Sequence, residues 1–462
     1  MRDILGMRER GQQEQCEDEL WSHGFPEASR QCTPTTALGG YRTLLAGVVT
    51  EAPPGYLELL RRNASFRRLW LGTVASFFGD WFTTIALYAI VQELSSSATA
   101  VAGVLIAKTL PIFVVSPIAG RIVDSFDRRK VLITTDLLRA VLTIGLVGAY
   151  FIGSLPLLYA VEVVRVAVAG VFIPGRSAAV PQVVTRDELG AAMALSGGTW
   201  SVMLALGAAA GGVVTELLGP VGALGIDALT FLLSAAFLWG LPALPPRHEG
   251  EAVASARLAD ALRWLRGRYK LTATLLLKAG SAMAAGTIMA LPLFGNGVFA
   301  LSASAGFVGL LYTGRGLGAL TGSLGLRRGL GDATCTLERI IPWLFLWQTL
   351  CYLLLSQAPS VWVAAAAYFL GGIGGAGVWV SSSTLAQRAL PRALRGRLFA
   401  MEFGLMTLLS SIASYSGGQA IDRLGAGPRD VVWVSALLLV VPAVLWWGVR
   451  WVEPEPLVTV EA

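Results

Sequence analysis

The chain alternates between long apolar blocks and short charged loops. From Phe66 to Trp451 the apolar residues arrive in long, almost uncharged runs, whereas residues 1–62 are polar. A helix of about 20 mostly apolar residues crosses the roughly 30 Å hydrocarbon core of a bilayer. Charge, proline and glycine punctuation divides the sequence into twelve such blocks, at 69–93, 98–120, 131–152, 155–174, 191–217, 221–242, 271–294, 303–326, 339–356, 359–386, 398–421 and 429–449. They lack the period-two alternation of barrel strands. The pattern predicts an all-α polytopic membrane protein with twelve transmembrane helices. Composition agrees, because 54% of the 462 residues are hydrophobic and only 14% charged, where a soluble domain carries about 25% charged residues.

Loop charge then sets an orientation. Of the 36 Lys and Arg residues, 24 fall in one set of loops and ends, while the opposite set holds only Arg423 and Arg429. Basic loops stay in the cytoplasm, so both termini are expected there, with even parity. The net charge of +6 is accounted for by this bias and implies no nucleic-acid partner. Residues 1–62 carry Glu14, Glu17, Asp18 and Glu19 and no basic-then-apolar secretory signal, so a disordered cytoplasmic tail is expected. Its Cys16, His23 and Cys32 contain no close ligand pair of the structural zinc type, and neither a metal nor a cofactor is implied.

The longest basic-side loop splits the blocks into a 63–242 half and a 271–450 half, joined by a 243–270 linker and followed by a 451–462 tail. Within the linker, Leu258, Leu262 and Leu265 recur at helical spacing among Arg263, Arg266 and Arg268, which predicts an amphipathic surface helix. The halves echo one another. Pro181–Gln182 through Arg186, Leu189 and Gly190 precedes the fifth block, and Gln387 through Arg392, Leu394 and Gly396 precedes the eleventh. Gly211–Gly212 is answered by Gly417–Gly418. Parallel six-helix halves with a site between them are an alternating-access architecture.

The string between blocks 2 and 3 places Gly120 and Asp124 ahead of Arg128, Arg129 and Lys130. It resembles the loop signature of the major facilitator superfamily, apart from Asp127 where that family usually has Gly. The resemblance makes Gly120, Asp124, Arg128 and Arg129 a conformational-switch loop, with Gly120 allowing close helix approach and the arginines at the surface. In block 5, Gly198, Gly207, Gly211 and Gly212 resemble the antiporter signature of that superfamily, with Ala208 in place of Pro. With the ridge Gly314, Gly318 and Gly322 they imply that helices 5 and 8 meet. Arg67-Arg-Leu-Trp-Leu-Gly, Gly79-Asp80-Trp81-Phe82, Asp136-Leu-Leu-Arg139-Ala and Leu394-Arg-Gly-Arg-Leu-Phe-Ala further resemble the bacterial macrolide-efflux and enterobactin-exporter-like branch. That implies the major facilitator fold in a bacterial inner membrane.

Charges within spans are expensive and so mark candidate machinery. Asp80, Lys108, Glu162, Arg165 and Arg315 lie near mid-span, Lys278 in the inner half of block 7, and Asp136, Arg139 and Glu402 nearer the cytoplasm. Asp136–Arg139 and Glu162–Arg165, each three apart, can pair along one helix face. Arg165 also resembles the family's buried helix-4 arginine associated with proton coupling. Asp80 has no charged neighbour on its helix and needs either a proton or a tertiary partner, Lys108 or Arg165. Asp80, Glu162, Arg165 and Lys108 are therefore the proton-coupling candidates. Glu93 and Glu216 are placed at the outer surface without a role.

These readings predict a monomeric, proton-coupled exporter of a hydrophobic or amphiphilic small molecule, in contact with membrane lipids and with no enzymatic chemistry. An importer or proton symporter of the same fold is the alternative. From another class, the chain could be a sensor or scaffold acting through residues 1–62.

Overall fold

The computed structural model describes residues 55–246, 258–297, 299, 305–330, 333–453 and 457. Cys16, His23 and Cys32 lie outside them. Every regular element among the described residues is helical, and ten helices are long and apolar enough to cross a bilayer. One of these, Asp187–Trp239, has 53 residues, roughly 80 Å at 1.5 Å per residue. It breaks at Gly219, whose φ of 71° ahead of Pro220 suits glycine, and so makes two crossings. Ala305–Leu330, at 26 residues, is also long enough to span, although Arg315 and its glycines make it less apolar.

Twelve crossings result, as expected. They are α1 (Ala64–Leu94), α2 (Ala98–Ser125), α3 (Arg128–Ile152), α4 (Leu155–Val183), α5 (186–218), α6 (220–239), α7 (Tyr269–Phe294), α8 (Ala305–Leu330), α9 (Thr334–Ser356), α10 (Val361–Ala389), α11 (Arg392–Leu424) and α12 (Pro428–Val452). The helices run past the apolar blocks at several ends. Punctuation places the end of α4 at 174, yet it continues through Pro174 and Pro181 to Val183, since proline is tolerated within transmembrane helices.

Order also begins earlier than the expected tail boundary. Tyr56–Arg62 is helical, and Leu59 is buried in a cluster with Phe66 and Leu69. Within the linker, Leu258–Leu265 is helical. Its Ala261 and Leu265 pack with Leu271, Leu275, Ala386, Leu390 and Leu398, while Arg268 stacks 4.1 Å above the Trp264 ring. We term the side on which α1 begins the basic face.

The halves meet along α2 with α11 and α5 with α8, and the glycine pairs expose the repeat. Gly211 packs on Trp81 and Phe82 of α1, and Gly417 on Gly286 and Met289 of α7. Gly212 packs on Ala305, Gly306 and Gly309 of α8, and Gly418 on Ala98 and Thr99 of α2. In a six-plus-six repeat α7 corresponds to α1 and α8 to α2, so the two pairs exchange equivalent neighbours. One acid lies four residues beyond each pair. Asp422 accepts from Ser97 Oγ at 2.6 Å and from the backbone N–H groups of Ala98 and Thr99 at 2.8 and 2.9 Å, capping α2 from the other half. Glu216 lies exposed, as expected, but reaches the Gly306 N–H at 3.5 Å as a weaker counterpart of this cap.

Away from the basic face the halves are thus closed, with Gln419 on Thr99 at 3.2 Å and Gln92 on the Pro292 carbonyl at 2.6 Å. Toward the basic face no such contact between the halves is seen among the described residues. Gly120, Gly190, Gly197, Gly198, Gly325 and Gly396 have open space where a Cβ would stand. We expect Asp422→Ala to cost the closed face about 1 kcal/mol, a roughly fivefold population shift. Pulsed electron paramagnetic resonance between labels at that end of α2 and α11 reads it as a longer-distance population.

The predicted glycine stripe needs correcting in detail. Gly207 packs on Trp81 and the Phe78 carbonyl, and Gly211 also faces α1 rather than α8. Gly198 meets nothing within 4 Å. The ridge of Gly314, Gly318 and Gly322 faces Ala365, Phe369 and Ile373 of α10. It is Gly309 and Gly316 that meet α5, at Ala208 and Ala205.

Candidate functional site

The N-terminal half holds a buried ionic network contributed by α1, α2, α3, α4 and α6. Arg139 grips both carboxylate oxygens of Asp80, at 2.6 and 2.5 Å, and reaches Asp136 at 3.4 Å and Ser76 Oγ at 2.8 Å. Its guanidinium lies 4.0 Å from the centre of the Phe231 ring. Arg165 makes a two-pronged contact with Glu162 at 2.7 and 3.0 Å, and also reaches Asp80 at 3.2 Å and Asp227 at 3.4 Å. Lys108 stands 3.6 Å from Glu162. Four carboxylates therefore face three cations. Most of the network is sealed, with Arg139, Arg165 and Glu162 at 1% exposure, while the Asp80 side chain is 31% exposed. Asp80, with Lys108 at 18%, is where the network is accessible.

The carboxylates are not equally held. Asp80 and Glu162 take close, multiple contacts from guanidinium groups. Asp136 and Asp227 touch a guanidinium only at 3.4 Å and are held chiefly by hydroxyls. Ser234 donates to Asp136 at 2.5 Å, and Thr83 donates to Asp227, while Thr230 donates to the Asp227 backbone carbonyl at 2.8 Å. The proton-coupling candidates Asp80, Lys108, Glu162 and Arg165 lie in one network, and Asp80 is expected to need either a proton or a partner. The structure gives it two guanidinium partners. It also joins Asp136–Arg139 to the same network.

Asp227 was missed. It is the one charged residue in 221–239, a signal that was available, and it is fully buried. Gly79 admits it, since a Cβ there would lie 2.3 Å from Asp227 Oδ1 and 1.9 Å from Thr230 Oγ1. We expect Gly79→Ala to cost about 1–3 kcal/mol through overpacking, read as a lowered melting temperature of purified protein.

The switch loop is anchored at one end and free at the other. Asp127 caps α3 at the Lys130 N–H (3.2 Å) and accepts from the Leu244 N–H at 3.0 Å, which explains an acid where the signature has Gly. Arg128, expected at the surface, is 5% exposed and donates to the Pro245 carbonyl at 3.1 Å. Arg129 donates to the Trp239 carbonyl at 2.5 Å, so both arginines serve the end of α6. Asp124 is exposed, and Gly120, expected to admit a close helix, borders open space.

In the C-terminal half Lys278 pairs with Glu402 at 3.0 Å beneath the Trp379 ring, 4.6 Å away. Lys270 pairs with Glu338 at 2.8 Å. Arg315 has no carboxylate partner among the described residues.

A helical bundle of twelve crossings, two pseudo-equivalent halves closed on one face, and a buried ionic network define a membrane transporter rather than an enzyme. The family described as transmembrane secretion effector matches residues 59–450, and the chain belongs to this family of major facilitator superfamily (MFS) transporters. An uncharacterised MFS-type transporter of Mycobacterium tuberculosis is 27% identical over 424 residues, covering 84% of this chain and 92% of that one. Two Bacillus subtilis proteins, the uncharacterised MFS-type transporter YkuC and BacE, a proposed bacilysin exporter, are each 28% identical, over 174 and 187 residues. Those matches cover 37% and 39% of this chain, and the chain spans less than half of either protein, 40% and 45%. Among solved structures, an inward-facing, unoccupied bacterial homologue of the lysosomal transporter Spinster superposes with a TM-score of 0.66 at 14% identity, covering 83% of this chain and 96% of its own.

Proposed function

We propose that the chain is a secondary active exporter that carries a hydrophobic or amphiphilic small molecule out of the cell while a proton moves inward. The observation that carries this reading is the charge count of the network. Four carboxylates against three cations, buried except at Asp80 and in part at Lys108, leave one negative charge that a single proton cancels. A buried uncompensated charge is costly, so taking up and losing that proton changes the stability of one arrangement of the helices against another.

The basic face is the cytoplasmic one in this reading, following the distribution of Lys and Arg, which puts both termini inside and the chain in a bacterial inner membrane. An export substrate would then load from the cytoplasmic side, opposite the closed face. The free end of the switch loop, Gly120 and Asp124, engages the other half when that side closes. The partial likeness to BacE points in the same direction of transport.

The test begins with a thermal-shift screen of amphiphiles on purified protein, because a ligand favouring the folded state raises the melting temperature. A labelled hit is then offered to inside-out vesicles. Export coupled to protons accumulates it inside when the vesicle interior is acidified, and collapsing the gradient releases it. Gradient-driven loss from preloaded vesicles would instead establish an importer or symporter.

A further inference from the structure

We infer that Arg315, Tyr368 and Gln348 form a subsite between the halves for a carboxylate on the transported amphiphile, next to an N–H or O–H donor of the same molecule. The inference rests on the transport reading above and narrows its substrate class. Arg315 lies within α8, where a cation is expensive unless something answers its charge, and it takes part in no ion pair among the described residues. Phenols are its neighbours along the packed helices instead. Tyr312 precedes it by three residues on the same helix face, and the Arg315 backbone carbonyl lies against Gly372 of α10, one turn beyond Tyr368.

Those phenols form a built wall. The Tyr352 and Tyr368 rings lie 5.8 Å apart, Tyr88 and Tyr312 stack at 6.5 Å, and their hydroxyls meet at 3.3 Å across the two halves. Gln348 donates Nε2 to the Tyr352 hydroxyl at 3.1 Å. Two polar atoms are left over. The Tyr368 hydroxyl, on a fully buried residue, and Oε1 of Gln348, which is 6% exposed, have no hydrogen-bond partner. Buried polar groups are nearly always satisfied, so both call for a ligand group. The chemistry of that group follows from what each lacks. A guanidinium fork and a phenol O–H together donate to a carboxylate, and an amide oxygen accepts from a donor beside it. The aromatic rings supply apolar contact for the rest of the molecule. Tyr88 comes from the N-terminal half and the other groups from the C-terminal half, so a ligand here touches both moving parts.

The test uses dansylglycine, which joins an aromatic body to a sulfonamide N–H and a carboxylate, and its uncharged counterpart dansylglycinamide. Binding to the full chain in phosphatidylcholine nanodiscs is read by energy transfer from tryptophan, of which Trp81 lies 5.3 Å from Tyr312. We expect saturable dansylglycine binding at least about tenfold tighter than that of the amide. Arg315→Gln brings the two within about twofold, Arg315→Lys keeps part of the preference, and the melting temperature of Arg315→Gln equals or exceeds that of the wild type, because the unpaired charge is gone. Absent binding, equal binding of acid and amide, or a preference surviving in Arg315→Gln overturns the inference. So does a lowered melting temperature of that variant, which would make Arg315 structural. Loss of the preference on adding phosphatidylglycerol would assign the site to a lipid phosphate and overturn the substrate assignment. Binding is read at equilibrium without a gradient, so its failure is distinct from failure of the proton-driven vesicle assay.

Discussion

Arg165→Gln is expected to lower stability by about 3–5 kcal/mol, the usual cost of removing one partner from a buried ion pair. Arg165 is the common partner of Glu162, Asp80 and Asp227, and both it and Glu162 are 1% exposed. Glutamine keeps the approximate size but neither the charge nor the fork, and leaves Glu162 with only Lys108 at 3.6 Å. Adding Glu162→Gln should recover most of the loss, because the carboxylate stranded by the first change is then neutral. The measurement is reversible unfolding of the single and double variants in mixed micelles. A single variant within about 1 kcal/mol of wild type, in the range of an exposed ion pair, would mean that the network is solvated and that its charge count has no consequence.

Asp227→Asn should separate binding from coupling. The amide can still accept from Thr83, and the carboxylate it replaces approached Arg165 no closer than 3.4 Å, so the fold should persist. The network then holds three carboxylates and three cations and has no further need of a proton. We expect ligand affinity within about threefold of wild type and gradient-driven accumulation in vesicles reduced by about tenfold or more. Undiminished proton-driven transport in Asp227→Asn would place the coupling elsewhere. Asp80→Asn is the harsher change, since it strips Arg139 of its 2.5 Å contact and Arg165 of a second carboxylate.

Much of the fold was legible because hydropathy is local. Twelve crossings, the linker helix and the switch-loop string can all be read within windows of about 20 residues. The repeat was legible as well, through Gly211–Gly212 and Gly417–Gly418. Less legible was which neighbour a motif faces. Glycine spacing predicts a ridge on α8 but cannot choose between α5 and α10, and Gly314, Gly318 and Gly322 take α10.

Charge partners were readable only within a helix. Glu162–Arg165 and Asp136–Arg139 follow from three-residue spacing, whereas Asp80–Arg139 and Arg165–Asp227 join residues 59 and 62 apart and depend on the packing of five helices. Asp227 was in plain sight yet lacked a sequence neighbour to give it meaning. Asp422 and Glu216 stood at equivalent distances beyond the glycine pairs, but only the contact between halves reveals them as caps.

The central claim is that the network of Asp80, Asp136, Glu162 and Asp227 with Lys108, Arg139 and Arg165 binds one exchangeable proton. Infrared difference spectroscopy between acidic and alkaline buffer reads it without a substrate, through the carbonyl stretch of a protonated carboxyl group. We expect one such band in the wild-type protein, shifted in heavy water, unaffected by Glu402→Gln in the other half, and absent in Asp227→Asn. A wild-type spectrum without the band, or a band that Asp227→Asn leaves in place, would contradict the claim.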